Sequence, residues 1–98
     1  MELAIGIILG CCALGAGICM GIGAIGPGVG EGHAVANACE AIGRQPEAKG
    51  AVTSTMIMGC AISETTGIYA LVIAILLIFV APGMLVNTLV KAIKNLGV

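Results

Sequence analysis

The sequence predicts an all-α membrane protein built as a hairpin of two transmembrane helices, and three observations support this fold class. Its 98 residues are 59% hydrophobic and only 9% charged, which is too apolar for a soluble domain. Residues 3–30 carry no charge, and Glu64 is the sole charged residue between Lys49 and Lys91. A helix rises about 1.5 Å per residue, so each run exceeds the roughly 20 residues that cross a bilayer. Two spans fit in this chain, and a third does not.

Composition also excludes several other classes of protein. The first apolar run follows an acidic residue, Glu2, and is far longer than the core of a cleaved signal peptide, so we expect it to be retained. The alternating pattern of a membrane β-barrel is absent. A net charge of −1, one Tyr, one Phe and no Trp predict no binding to nucleic acid. The five cysteines do not have metal-ligand spacing, so we expect them to be small buried hydrophobes. They are Cys11, Cys12, Cys19, Cys39 and Cys60.

A single polar turn divides the chain. Residues 43–49 read Gly-Arg-Gln-Pro-Glu-Ala-Lys and combine a helix-stopping glycine, a proline and three charges. This predicts helix 1 at about residues 3–42 and helix 2 at about residues 47–80, with Pro82-Gly83 breaking or kinking helix 2. Residues 84–98 are predicted to form an amphipathic tail in which two lysines are the only charges.

Helix 1 is unusually rich in glycine, a residue that destabilises isolated helices by about 1 kcal/mol relative to alanine. Four overlapping GxxxG pairs predict that neighbouring helices approach its backbone closely on more than one side. That crowding is typical of the inner wall of a ring, in which each helix has identical neighbours on both sides; a simple helix dimer is the alternative. The glycines predicted to pack a ring are Gly15, Gly17, Gly21, Gly23, Gly26, Gly28 and Gly30.

Two acids lie inside the predicted spans. An ionisable side chain at mid-membrane costs at least about 2.5 to 3.5 kcal/mol and marks a functional site by default. Counted from Gln45, Glu64 lies about 28 Å along helix 2 and Glu31 about 21 Å along helix 1, an offset of about 7 Å. Helix side chains lean toward the N-terminus of their helix, so the two carboxyls are predicted to converge.

Oxygen atoms surround Glu64 in an otherwise apolar helix. Ser63, Thr65, Thr66 and Tyr69 all carry hydroxyls. Hard cations prefer oxygen ligands, whereas a proton needs only one acceptor, so the cluster favours Na⁺ over H⁺. Alternatively, the hydroxyls only bond back to helix carbonyls, which we favour for Ser63. Two ionised carboxylates around one Na⁺ would leave a buried negative charge, so we expect Glu31 to stay protonated and donate to Glu64.

These features together resemble the c subunit of F-type rotary ATP synthases, the proteolipid or lipid-binding subunit of the rotor ring. The resemblance rests on the glycine-repeat first helix, the polar loop and the membrane carboxylate after it. Sodium-binding members share a proline followed four residues later by Gln or Glu, then Glu-Ser/Thr-Thr and a Tyr. In this chain the corresponding residues are Pro27, Glu31, Glu64, Thr65, Thr66 and Tyr69.

The resemblance implies a role for each of these positions. Glu31 and Glu64 would provide side-chain oxygens to Na⁺, Ile62 a backbone carbonyl and Thr65 its hydroxyl. Thr66 would hold a water ligand and Tyr69 would orient Glu64, with some ligands coming from an adjacent copy. The loop residues expected to face the stalk are Arg44, Gln45 and Pro46.

The resemblance also implies the setting in which the chain works. Identical copies would form a cylindrical homo-oligomeric ring in membrane lipid, turning past the stator a subunit and driving the central-stalk gamma and epsilon subunits. The chain would carry no catalytic site of its own. It would lie in the bacterial inner membrane with the loop cytoplasmic and the termini opposite, although Lys91 and Lys94 weaken this orientation by the positive-inside rule.

Two departures from the family and two alternative functions remain open at this point. Cys19 interrupts the glycine repeat, and the tail after Gly83 is longer than in most members. The same ring could translocate H⁺ instead of Na⁺. In a different class, the chain would be a small structural or pore-forming membrane oligomer in which both acids serve only as hydrogen-bonding groups.

Overall fold

The structure is a computed structural model and describes residues 1–97. It is helical almost throughout and confirms the all-α class. Two long apolar helical stretches, Glu2–Arg44 and Pro46–Asn95, are each able to cross a membrane by length and composition. Only 11% of the most apolar window of either stretch is buried within the chain. Because the core helices of soluble proteins are mostly buried, this exposure indicates that lipid or other protein chains cover these helices.

The two stretches divide into four α-helices, one tighter 3₁₀ turn and one wider π turn. The elements are α1 (Glu2–Gly23), α2 (Ile25–Arg44), a 3₁₀ turn (Pro46–Ala48), α3 (Lys49–Ile75), a π turn (Leu76–Val80) and α4 (Ala81–Asn95).

The first predicted helix, over about residues 3–42, forms the helical stretch Glu2–Arg44 with one local turn inside it. The α-helical pattern is interrupted at Ala24, between α1 and α2. Pro27 has no backbone N–H, so the carbonyl of Gly23 loses the partner that it would have in an unbroken helix. The ladder resumes where the N–H of Gly28 donates to the carbonyl of Ala24 at 3.0 Å.

The polar turn is shorter than predicted. Gln45 is the only non-helical residue in it, with φ −134° and ψ 81°, because the ring of Pro46 disfavours the helical conformation of the residue before it. The Gln45 N–H closes α2 by donating to the carbonyl of Ala41 at 2.9 Å. Arg44, in the last turn of α2, forms an ion pair with Glu40, at the helix end where a positive charge is favourable.

The second predicted helix does not end near Val80. It passes through the π turn directly into α4, so the predicted tail is a helix. Pro82 lies in the first turn of α4, directly after the π turn, and such a local π adjustment is one way in which a membrane helix accommodates a proline.

Contacts group the chain into two compact units, residues 21–70 and residues 1–20 with 71–98. The unit of residues 21–70 is a helical hairpin around the polar turn. In this unit Pro27 Cγ lies 3.7 Å from the point where a Cβ on Gly67 would stand, and the Cβ position of Gly30 lies 3.8 Å from Ser63 Oγ. In the other unit, the Cβ position of Gly15 lies 3.7 Å from Leu77 Cδ1.

The predicted ring-packing glycines fall into two groups. Three of them lie against the second helical stretch of the same chain, namely Gly15, Gly23 and Gly30. The other four leave their Cβ positions more than 4 Å from any counted atom of this chain, and they are Gly17, Gly21, Gly26 and Gly28. Within one chain, the close approach therefore uses only part of the glycine repeat.

The cysteines are thiols without disulfides. Only Cys12 is buried within the chain, while Cys11 and Cys39 are exposed. The expectation that all five are buried is therefore wrong for a single chain, because the helices cover so little of one another.

Gly23 is the position at which the hairpin tolerates a side chain least. A Cβ added there would lie 2.6 Å from Ala70 Cβ, which is too close for two carbon atoms, so the helices would have to shift. We expect Gly23→Ala to lower the free energy of unfolding by about 1–3 kcal/mol, as overpacked cores do. Thermal stability of the purified protein in detergent measures the effect.

Two variants test whether the steric contact is the cause. Ala70→Gly combined with Gly23→Ala removes the clash and should restore most of the lost stability. Gly50→Ala, whose Cβ position is open, should cause no loss. A Gly23→Ala protein as stable as the parent would show that the helices do not approach closely here.

Candidate ion-binding site

The two membrane acids meet in the hairpin unit. Glu31 on α2 and Glu64 on α3 line one cavity. The other residues around this cavity are apolar or weakly polar, namely Met56, Ile57, Cys60 and Ala61. The predicted convergence of the two acids is confirmed.

The predicted offset of about 7 Å between the acids is not observed. Gly30 and Ser63, the residues just before the two acids, lie against each other, and Pro27 lies against Gly67. The pairing of the helices is centred one to two residues after Gln45, within the 3₁₀ turn, and this brings Glu31 and Glu64 to nearly the same level. Counting from Gln45 placed the centre of the bend too early.

The two carboxyls have unlike surroundings. Glu31 is half-buried, whereas Glu64 is exposed at the flank of its helix. The Glu31 Oε1 atom is buried and has no hydrogen-bond partner among residues 1–97. A buried carboxylate oxygen without a donor or cation is costly, so this atom is where a proton or a metal ion gains most.

The Glu64 carboxyl lies beside Gly67, which has no side chain to exclude it. Its Oε1 lies 3.5 Å from the Cβ position of Gly67, against which Pro27 also packs. The carboxyl therefore lies beside the turn that follows it, away from the loop, although leaning toward the loop was expected. Gly67 is buried and leaves room for both groups because it has no side chain.

The hydroxyl residues do not join the carboxyl pair within one chain. The Thr65 hydroxyl donates to the Ile62 carbonyl at 2.6 Å, so the predicted ligands Thr65 and Ile62 are in contact. Thr66 is exposed, and Tyr69 is 68% exposed. At about 100° per residue, Thr65 and Tyr69 point about 100° and 140° away from Glu64 around α3.

The Thr65 hydroxyl donates its proton to a carbonyl of its own helix, as the alternative to cation binding predicted. Donation to the Ile62 carbonyl leaves the hydroxyl lone pairs available to an outside group. The expected back-bond of Ser63 is not observed in the part of the chain described; its Oγ lies toward Gly30.

No group of three or more His, Cys, Asp and Glu side chains within residues 1–97 could hold a metal ion. A site of the transition-metal type is therefore not formed by this part of the chain. Carboxylate, hydroxyl and carbonyl oxygens remain as donors, and these suit a hard cation.

The loop residues stand apart from the acids. Arg44, Gln45 and Pro46 are all exposed. Sequence reasoning missed the partner of Arg44, Glu40, although an acid four residues before a base on a helix is a recognisable signal. It also missed the role of Gly67 and Ala70, for which no local signal exists.

A helical hairpin with two apolar spans and an acid pair between its helices defines a class: integral membrane proteins with a carboxylate site inside the spans. The family model that describes the c subunit of ATP synthases matches residues 14–77. The ATP synthase c subunit of Petrotoga mobilis is 56% identical over 69 residues, which is 70% of this chain and 72% of that protein. For the c subunit of Thermotoga maritima the identity is 53% over 79 residues, 81% of this chain and 93% of that protein.

This chain belongs to the ATP synthase c-subunit family. It is a non-catalytic membrane component, the rotor subunit, of an F-type ATP synthase. The predicted family and the non-catalytic nature of the chain are thereby confirmed. Neither finding distinguishes Na⁺ from H⁺ as the ion.

Proposed function

We propose that this chain assembles with identical copies into a rotor ring in which each Glu31–Glu64 pair binds one Na⁺ and carries it across the membrane. The observation that supports this most is the facing pair of carboxyls between two apolar helices. In a membrane such a pair needs a positive partner, and a partner that enters and leaves is a transported ion.

A second copy would complete the site. Glu31 and Glu64 lie on one flank of the hairpin, whereas the Thr65 hydroxyl and the Ile62 carbonyl lie on a different face of α3. In a ring, one flank of each copy meets the other flank of the next. The four glycines that are open within one chain allow that approach, since GxxxG-type surfaces bring helix backbones together.

Charge balance favours one proton in the loaded site. With Glu31 protonated and donating to Glu64, a Na⁺ held mainly by Glu64 leaves the site neutral. Thr65 adds a hydroxyl oxygen, Ile62 a carbonyl oxygen and Thr66 a water ligand, while Tyr69 orients Glu64. A neutral site can face lipid as the ring turns, whereas an empty ionised one cannot.

Ion movement would be coupled to rotation through other subunits. Each charge that crosses 100 mV releases about 2.3 kcal/mol, which the ring would transmit as torque. The ring would turn past the stator a subunit, and the exposed residues Arg44, Gln45 and Pro46 would contact the central-stalk gamma and epsilon subunits. This places the loop in the cytoplasm and the termini across the bacterial inner membrane.

Carbodiimide labelling of Glu64 tests the identity of the ion. The reagent reacts with the protonated carboxyl, so a Na⁺ that replaces the proton should slow labelling. We expect labelling to be about tenfold or more slower at neutral pH, which corresponds to about 1.4 kcal/mol of competing Na⁺ binding. Mass spectrometry of the purified assembly measures the rate with and without NaCl, with KCl as the ionic-strength control. Labelling indifferent to Na⁺ would assign H⁺ instead.

Thr65→Val sharpens the same test by removing one predicted Na⁺ ligand and leaving the carboxyls in place. We expect it to raise the Na⁺ concentration needed for half-protection by about tenfold, because the lost contact between the hydroxyl and Na⁺ is similar in energy to a hydrogen bond to a charged group. Thr88→Val is the matched control, because the Thr88 hydroxyl also bonds back to a helix carbonyl, that of Met84 at 2.9 Å. Equal protection in both variants would exclude Thr65 as a ligand.

A further inference from the structure

The last helix, α4, lies after the part of the chain that the family model matches. The family match ends at residue 77, inside the π turn Leu76–Val80, and α4 follows from Ala81 to Asn95. A π turn followed by Pro82 is a natural boundary between helical segments. The family model therefore assigns no role to α4.

The two sides of α4 differ sharply in chemistry. At about 100° per residue, four polar residues fall within an arc of about 100°, and four aliphatic residues fall within another arc of the same width, about 140° away. The polar arc contains Asn87, Lys91, Lys94 and Asn95, all exposed. The aliphatic arc contains Val86, Leu89, Val90 and Ile93, all half-buried.

The aliphatic arc is already covered within the chain. Residues 71–98 form one compact unit with residues 1–20, so the half-buried side of α4 is the side that faces the N-terminal segment. The lysine arc consequently points away from that segment. The exposed apolar side chain of Met84, at 65% exposure, lies in the same angular range about two turns before Lys91.

The charge of this surface is uncompensated. Lys91 and Lys94 are the only charged residues after Glu64, and Glu2 is the only acidic side chain in the same compact unit. Neither lysine forms an ion pair with any of residues 1–97. Lysines on the same side of a helix as an exposed methionine, with no acid paired to them, suit a surface that is apolar below and anionic above.

The length of the helix brings this surface to the membrane boundary. The stretch Pro46–Asn95 contains 50 residues, about 75 Å at the helical rise, whereas a whole bilayer with its headgroups is about 40–45 Å thick. The end of a helix that crosses the bilayer must therefore pass the headgroup layer. The π turn and Pro82 allow α4 to change direction there.

We propose that the Lys91–Lys94 face of α4 binds the phosphate groups of anionic phospholipids on the membrane side opposite the loop. The aliphatic stems of the lysines and Met84, on the same side of α4, contact the acyl region, while the ammonium groups reach the phosphates. The inference does not depend on whether the rotor carries Na⁺ or H⁺.

Spin-labelled lipids test this proposal on the full-length protein. The purified assembly is reconstituted in phosphatidylcholine vesicles with trace spin-labelled phosphatidylglycerol or phosphatidylcholine, and electron spin resonance gives the relative association of each with the protein. We expect phosphatidylglycerol to be preferred, and K91Q/K94Q to lower that preference by up to about fivefold per lysine at low salt. High salt should reduce the preference in the parent protein.

The charge-preserving variant K91R/K94R is the matched control and should keep the preference. Lys49→Gln, which removes a charge at the loop end, should lower it less than K91Q/K94Q. An unchanged preference in K91Q/K94Q, or no preference in the parent, would overturn the proposal and would favour an acidic protein partner for this face. Unaltered circular dichroism of each variant excludes unfolding as the cause.

Discussion

Glu64→Gln is expected to abolish ion transport while leaving the protein folded and assembled. Glutamine has nearly the same shape, so it still fits beside Gly67 and Pro27, where the Glu64 carboxyl lies 3.5 Å from the Gly67 Cβ position. It cannot become negative, so it offers no charge to a Na⁺ or a proton. Transport of ²²Na⁺ and of protons into vesicles, driven by ATP in the complete synthase, measures the loss.

Glu40→Gln is the matched control for that variant. It removes an acid from the same chain, but one that is exposed and paired with Arg44 outside the carboxyl site. Since exposed ion pairs contribute about 0–1 kcal/mol to stability, it should leave assembly and transport close to those of the parent protein. Normal transport in Glu64→Gln would contradict the rotor proposal and favour the structural or pore-forming oligomer.

Glu31→Leu is expected to weaken Na⁺ binding far more than Glu31→Gln. The leucine removes both the proton donor to Glu64 and an oxygen ligand, which at about 1.5–3 kcal/mol for a hydrogen bond to a charged group predicts roughly tenfold to hundredfold weaker binding. Glutamine retains a donor and an oxygen. The Na⁺ concentration that half-protects Glu64 from carbodiimide measures both variants.

The comparison also tests the shared proton. If Glu31 acts as a protonated group that donates to Glu64, then an uncharged amide replaces it with little loss. A Glu31→Gln protein as impaired as Glu31→Leu would show instead that the negative charge of Glu31 holds the ion. Circular dichroism of both variants should match the parent, because Glu31 is only half-buried.

Most of the fold follows from sequence reasoning because its signals are local. Long uncharged runs, one polar turn and one acid far from that turn and from the termini in each helix determine two helices, their order and the approximate depth of Glu31 and Glu64. Helix boundaries were less accurate. Pro27 follows a local turn at Ala24, and Pro82 lies in α4 where an end to helix 2 was expected, because a π turn before a proline allows a membrane helix to continue past it.

The site was predicted only in part, for a physical reason that Thr65 illustrates. The sequence places Glu64, Thr65 and Tyr69 close together along the chain, but on a helix they point in directions that differ by about 100° or more. Within one chain the carboxyl pair is therefore separated from Thr65 and Tyr69. Proximity along a helix predicts a shared depth in the membrane, and only the directions of the side chains tell which of them can meet.

The sequence by itself determined that this protein is a two-span membrane protein with a carboxylate in each helix, since hydropathy, the turn and charge are properties of single residues and their spacing. Tertiary structure decided which glycines face the partner helix and at what level Glu31 meets Glu64. Both depend on the centre of the helix pairing, and a shift of one or two residues at the turn moves the acids by several ångströms relative to each other. No local pattern encodes that shift, because it results from the contacts of Gly23 with Ala70 and of Pro27 with Gly67.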